Sequence, residues 1–142
     1  AAEKIFLPGG LSNTANWLLD APNGNDFAGC CISATLRDYG RIGLFAMRNS
    51  GAANVDSTLA PAWMQQSTAP SKGYAGYGYF WWLADNNVFS AQGVFGRYIF
   101  IDPSRDLVIV LQSAWAKAWN TSLEHQALTF ITALADHVVA KD

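Results

Sequence analysis

Between Tyr77 and Gln112 the chain carries four short apolar stretches joined by brief polar connections, and this spacing constrains the fold more than any other feature. Tyr77, Tyr79 and Trp81 fall on one face of an extended segment, and Phe80 and Trp82 on the other. That is the period of two expected of a β-strand. Asp85-Asn86-Asn87 reads as a turn, residues 88–92 as a second strand, 97–101 as a third and Leu107–Gln112 as a fourth. Asp102-Pro103-Ser104-Arg105-Asp106 has the residues of a tight connection between the last two. Parallel neighbours need a crossover of about a dozen residues or more. The strands are therefore expected to form an antiparallel meander over about 77–112.

Helical periodicity flanks this region on both sides. Thr121-Ser122-Leu123-Glu124 has the form of a capping box, and Leu123, Ala127, Phe130, Ile131, Leu134 and Val138 then recur on one face. A helix at about 121–139 should lie across the sheet, giving an α+β architecture. Thr35 and Asp38 form a second capping box, followed at helical spacing by Leu36, Tyr39, Gly43 and Met47. This predicts a helix at about 35–48, ended by Asn49-Ser50-Gly51 and packed elsewhere than on the sheet. Its Gly40 and Gly43 weaken helix propensity and are read as points where another backbone comes close. A shorter helix at about 57–66 is expected to begin after Asp56 or Ser57, with Pro61 in its first turn and Leu59, Trp63 and Met64 on its apolar side. The first 29 residues, rich in Pro, Gly, Asn and Asp, read as irregular chain. Such a stretch is uncommon in an autonomous domain unless it is functional or lies over a partner.

Composition narrows the classes of function. Of 142 residues, 51% are hydrophobic, 13% aromatic and only 14% charged, so some of the surface is expected to face another body. Nine Lys and Arg are scattered singly and the net charge is −2, which argues against a nucleic-acid partner. No apolar run approaches the roughly 18 residues of a membrane span, and the first ten residues have neither part of a signal peptide, so no membrane role is expected. The two cysteines, Cys30 and Cys31, are adjacent, where a bridge would require strained geometry. They are read as free, buried small residues, which favours a reducing compartment such as the cytoplasm.

The patterns that arm a nucleophile are missing from these residues. There is no Ser-x-x-Lys, and Ser113 to Lys117 is one residue too long; Gly-x-Ser-x-Gly does not occur either. His125 and His137 lie on the C-terminal helix without a thiolate or carboxylate cluster, so they are read as its polar edge, and neither a metal nor a cofactor is expected. One stretch stands apart: Ser90-Ala91-Gln92-Gly93-Val94-Phe95-Gly96-Arg97-Tyr98-Ile99-Phe100-Ile101-Asp102-Pro103. Glycines three apart at a strand edge let a ligand approach the backbone, and a free strand amide beside them can donate to a developing oxyanion. The same glycines also fit a bulge between strands, their commoner use.

That stretch, with Asp106-Leu107-Val108-Ile109-Val110-Leu111, resembles the closing strands of class C β-lactamases, penicillin-recognising peptidases and related esterases. Gln92-Gly93 falls where those enzymes carry the Thr-Gly of Lys-Thr-Gly. Gly29-Cys30-Cys31-Ile32-Ser33-Ala34-Thr35-Leu36-Arg37-Asp38-Tyr39-Gly40-Arg41-Ile42-Gly43 resembles the start of a helix in the same enzymes, and Gly76-Tyr77-Gly78-Tyr79-Phe80-Trp81-Trp82 their first C-terminal strand. Asn16-Trp17-Leu18-Leu19-Asp20 is similar to the branch containing 6-aminohexanoate-oligomer (nylon-oligomer) hydrolases and carboxylesterases. The likeness covers essentially the whole chain but only the last third or so of a typical member.

The resemblance implies the C-terminal part of a β-lactamase/transpeptidase-like fold, residues 1–142 being one fragment of a serine hydrolase. In such enzymes a Ser of Ser-x-x-Lys attacks a carbonyl while Lys and Tyr manage its proton, and all three would lie upstream of the residues matched here. By the same likeness, the Val94 amide is an oxyanion donor, and Gln92 and Gly93 lie on the strand lining the substrate cleft. Asn16 would be near the substrate, and Trp81 or Trp82 in the wall of the acyl pocket. Ala91 stands in place of the motif's Lys, which favours an amide or ester substrate over a penicillin carboxylate. The implied partners are the N-terminal part of the same enzyme and a small amide or ester. Alone, the fragment is expected to be inactive, with an open apolar edge at Leu107–Gln112 able to pair with that part or with another copy. Two alternatives remain open: a non-catalytic binding or interaction domain that reuses the half-fold, and an enzyme with an unrecognised nucleophile among Ser33, Ser90 and Ser113.

Overall fold

The computed structural model describes residues 2–27, 30–50, 59–60 and 62–139. Its centre is an antiparallel sheet of order β3-β4-β5-β6, formed by Trp82–Leu83, Phe89–Gly93, Arg97–Asp102 and Leu107–Gln112. The last three strands match the predicted meander to within a residue or two. Their register is continuous, Phe89 facing Ile101 across β4 and β5, and Ile101 facing Val108 across β5 and β6. At the β5–β6 connection, Asp102 accepts the amides of Ser104 and Arg105, and Pro103 starts the single 3₁₀ turn between them. Asp106 closes it in the left-handed region, at φ 50°.

The first predicted strand is corrected. Instead of running extended through Trp81, the chain doubles back: Tyr77 bridges to Trp82, the Gly78 amide donates to the Trp81 carbonyl, and Phe80 has a φ of 64°. Only Trp82–Leu83 joins the sheet. The alternation of tyrosine with glycine mimicked a strand, but Gly78 serves a close approach: a Cβ there would lie 2.2 Å from the Ser67 carbonyl oxygen. The neighbouring Tyr79 amide donates to that same oxygen.

Helix α1, Leu36–Arg48, begins where its capping box predicted: Thr35 Oγ1 accepts the Asp38 amide at 3.2 Å and donates to the Asp38 carboxylate at 2.8 Å. It packs on β5 and β6, a correction to the expectation that it lies away from the sheet. Gly43 makes this possible, since a Cβ there would meet Val108 Cγ1 at 2.6 Å and Ile99 Cγ2 at 2.9 Å. The approaching groups are therefore side chains rather than backbone, and Gly40 has no such neighbour. The buried side is Phe45, Ala46 and Met47, whereas Leu36, placed on it by periodicity, is half exposed.

Helix α2 is shorter than expected, Trp63–Ser67, and follows Ala62 in a left-handed conformation. The predicted start at Asp56 or Ser57, Pro61, and the Gly51 that would end α1 lie outside the described residues. Before α1, the described residues are irregular as predicted except for a π-helical turn at Ala2–Phe6, a two-residue antiparallel pair, β1 (Asn16–Trp17) with β2 (Ile32–Ser33), and an isolated bridge between Leu19 and Asp26.

Helix α3, Thr121–Val139, covers the opposite face of the sheet. Its cap is Asn120, whose Oδ1 accepts the Leu123 amide at 3.1 Å, one residue earlier than the predicted Thr121. Two cores result. Met47, Met64, Phe89 and Ile101 fill the side toward α1, and Tyr98, Ile109, Ala127, Ile131 and Ala135 the side toward α3. Fully burying an Ile such as Ile101 or Ile131 contributes about 1.5–3 kcal/mol. The sheet is thus sandwiched between two helices, and β6 is its last strand among the described residues. No described helix is long and apolar enough to cross a membrane.

Candidate active site

Side chains of paired residues in an antiparallel sheet share a face. Ala91 pairs with Ile99, Gly93 with Arg97, Ile99 with Val110 and Arg97 with Gln112, so these six residues pave one surface on the α1 side. They floor a cleft of about 550 Å³. Tyr39, in the first turns of α1, closes one end of this floor. Trp17, Ile32 and the Cys30–Cys31 pair form one wall, and Tyr77, Phe80 and Trp82 another, while Trp119 lines the cleft from the segment before α3.

The floor ends in a turn that the structure holds firmly. Phe95 and Gly96 have φ of 63° and 78°, two consecutive left-handed residues between β4 and β5. The Phe95 amide donates to Ala118 O at 3.0 Å, and its carbonyl accepts from Trp115 N. Ser113 N donates to Gly96 O at 2.9 Å. The Trp115 indole covers Gly96 so closely that a Cβ there would lie 2.3 Å from Cε2. Val94 precedes this anchored pair, and its N–H makes no hydrogen bond to a described residue. Val94 thus lines the cleft beside a turn anchored on both sides, with its N–H unengaged among the described residues.

The predicted residues divide. Gln92, Gly93, Val94 and Trp82 line the cleft together. The Gln92 side chain is steadied by donating to Ser90 Oγ at 3.1 Å. Trp82 meets Tyr77 edge to face, with centroids 5.0 Å apart. Trp81, expected in the wall, instead packs edge to face on Phe89 at 5.0 Å in the α1-side core. Asn16 is exposed on β1 and outside the lining, while its neighbour Trp17 faces the cleft. The Trp17 indole N–H donates to the carbonyls of Phe27 and Cys30, fixing the ring. A step of one residue along a strand reverses its face. The structure thus brings Trp17 rather than Asn16 to the cleft.

The cysteine reading is corrected. Cys30 and Cys31 are exposed and joined to each other as a disulfide at the cleft wall. They are neither buried nor free, which removes the ground for a reducing compartment.

Charge in the cleft is sparse: among the described residues, Arg97 is the one charged side chain in its lining. Burial, and after it the negative charge of Glu124, raise the Tyr98 phenol above its ordinary range, so it stays protonated and is no general base at neutral pH. Ser90 is buried and engaged by Gln92, and no serine hydroxyl is hydrogen-bonded to a histidine among the described residues. His125 and His137 are exposed on α3, and the described residues contain no group of His, Cys, Asp or Glu arranged to hold a metal. Among the described residues, the cleft thus combines apolar walls with the Arg97 cation and the uncharged amides of Gln92 and Gln112.

Sequence reasoning missed Arg97, Tyr39, Tyr77, Trp17 and Trp119 as lining residues. For Arg97 a signal existed, since the β4–β5 hairpin register places it opposite Gly93. The others arrive from separate segments and carry no local signature. A family model described as Beta-lactamase matches residues 7–128. No curated protein matches the sequence.

Proposed function

The chain belongs to the β-lactamase family, a family of serine hydrolases, and on that premise we propose that β4 and its turn form the oxyanion-side wall of a site acting on amide, ester or lactam carbonyls. The reading is nearest to a 6-aminohexanoate-oligomer hydrolase or carboxylesterase. The observation that carries it is the Val94 N–H, unengaged among the described residues, on a residue that lines the cleft beside a turn locked through Phe95 and Gly96.

In this reading the N-terminal part of the same enzyme supplies the Ser of Ser-x-x-Lys, with Lys and Tyr handling its proton. Attack on the carbonyl carbon forms the C–O bond and pushes the carbonyl electron pair onto oxygen. The Val94 amide stabilises that oxyanion. Collapse of the intermediate expels the amine or alcohol, and water then releases the acid. Gly93 keeps the floor beside the reacting carbon free of a side chain, and Trp82 supplies apolar wall for the acyl group. Ala91, in place of a lysine, is consistent with amide or ester rather than penicillin substrates. The chain alone lacks the attacking group and is inactive in this reading.

Mixing the chain with the part carrying Ser-x-x-Lys and following release of p-nitrophenol from a p-nitrophenyl ester tests this. Turnover is expected only from the mixture. Val94→Pro, which removes the N–H, should lower kcat by about 10²–10³-fold, as loss of one oxyanion donor does. Val94→Ala should change it little. Turnover by the chain alone, or a Val94→Pro mixture as active as the parent, overturns the proposal.

A further inference from the structure

We propose that the Cys30–Cys31 pair is a thiol–disulfide switch that sets the cleft wall at Trp17, so that small thiols and disulfides in the surroundings control the shape of the cleft; this goes beyond the hydrolase reading and does not depend on it. The two sulfurs are bonded to each other, both residues are exposed, and both lie in the lining of the cleft. A disulfide stabilises a fold mainly by closing a loop, and the gain grows with the number of residues enclosed. This one joins neighbours in sequence and encloses none, so holding the fold together is not its role. An exposed disulfide is instead the kind that external thiols reach and exchange with.

The bond is tied to the wall through the backbone. It closes a small ring that includes the Cys30–Cys31 peptide bond, and Cys31 has a φ of 83°, in a region that residues with a side chain avoid. Both cysteine carbonyls bond to β1 or the residue after it: Cys30 O accepts the Trp17 indole N–H at 3.0 Å, and Cys31 O accepts the Leu18 amide at 3.1 Å. Trp17 is also the strand partner of Ile32, the residue that follows the ring. Reduction proceeds by exchange: an external thiolate attacks one Sγ, the S–S bond breaks, and the other sulfur leaves as a thiolate that takes up a proton. A second external thiol resolves the mixed disulfide, so both cysteines end as thiols and the external pair ends as a disulfide. Excess external disulfide runs the same steps backward. Opening the ring frees Cys31 to leave the left-handed region, and rotation about that φ turns the peptide plane carrying Cys30 O away from the Trp17 indole. The indole keeps its second acceptor, Phe27 O at 3.1 Å, so the wall loosens without unfolding.

The test is heteronuclear NMR of the folded 142-residue chain, with dithiothreitol as reductant and oxidised glutathione as oxidant; Trp17→Phe identifies the Trp17 indole N–H among those of the six tryptophans. Dithiothreitol should expose both cysteines of the pair to iodoacetamide, and oxidised glutathione should protect them again. On reduction the Trp17 N–H signal should shift and exchange with solvent about 2- to 10-fold faster, the range that loss of one net hydrogen bond gives. The indole signals of Trp81 and Trp115, which pack against the two cores, should stay in place. The double variant Cys30→Ser, Cys31→Ser should show the reduced position, ignore both reagents and keep a Tm close to the parent's. Should that variant fail to fold, the parent measured reduced and reoxidised decides alone. A pair reduced only after the chain unfolds, a Trp17 N–H indifferent to reduction, a shift that reoxidation does not reverse, or a reduced chain whose core signals and Tm change with it overturns the proposal.

Discussion

Gly96 and Gly93 are three residues apart and respond to the same substitution in opposite ways. At Gly96 an added Cβ would overlap the Trp115 indole and sit on a φ of 78°. Gly96→Ala should therefore lose about 1–2 kcal/mol for the left-handed backbone and displace Trp115 as well, seen as a lower Tm with altered tryptophan fluorescence. At Gly93 the Cβ would lie 3.5 Å from Arg97 Cβ, an ordinary contact. Gly93→Ala should fold normally, leaving the unfolding free energy within about 0.5 kcal/mol of the parent, as measured by urea unfolding. Asp38 shows what one residue can gather: it is 1% exposed and accepts from the Ser12 amide, Asn13, Thr35 and Arg41. Burial alone would raise its pKa; those donors outweigh burial and hold the carboxyl well below the usual range. Since the folded pKa lies below the unfolded value of about 3.9, its contribution is complete above that pH and is lost as pH falls through the folded value. Thermal unfolding against pH should show the parent weakening below about pH 4. Asp38→Asn should start less stable at neutral pH and lack that part of the acid loss. The Thr35–Asp38 cap was legible as adjacent letters. The Ser12 contact, 26 residues away, was not.

At the scale of elements, α3 shows where periodicity stops. Apolar residues occupy more than half of its circumference, so a spacing of three and four admits several stripes. The stripe that meets the sheet is Ala127, Ile131 and Ala135, while Phe130 is 56% and Val138 42% exposed. Two alanines on the contact side let the helix sit close to Tyr98 and Ile109, a choice made by the shape of the sheet and not by hydrophobicity. Ile131→Ala should cost about 2–5 kcal/mol, and Phe130→Ala less than about 0.5 kcal/mol, both measured by urea unfolding. In α1 a comparable surprise came from Gly43, which lowers helix propensity yet allows Val108 and Ile99 to reach the helix. The supposed strand through Trp81 failed for the converse reason: its alternation was local, and contact with the end of α2 bent it into a turn.

Across the whole molecule, a helix covers each face of the sheet, yet its last strand has no neighbour on one side among the described residues. β6 is apolar along Leu107–Leu111 and is paired on one side only among the described residues. Half of its amides point away from β5 and have no strand to receive them among the described residues. Hydrogen exchange should therefore alternate along β6 in the chain alone, fast at outward amides and slow at inward ones. Binding of the proposed N-terminal part should slow the fast set. Uniformly slow exchange in the chain alone would count against an open edge. The last three strands and their antiparallel sense, the two long helices and the β4–β5 turn were determined by the sequence itself. Hydrogen-bonding periods, caps and short connections are local constraints that a linear reading captures. The face taken by α1, the buried stripe of α3, the fate of Trp81 and the gathering of Trp17, Tyr39, Tyr77 and Arg97 around one cleft were decided only by the tertiary structure. Each depends on which surfaces meet across tens of residues, and that is settled by packing volume rather than by any residue's own preference.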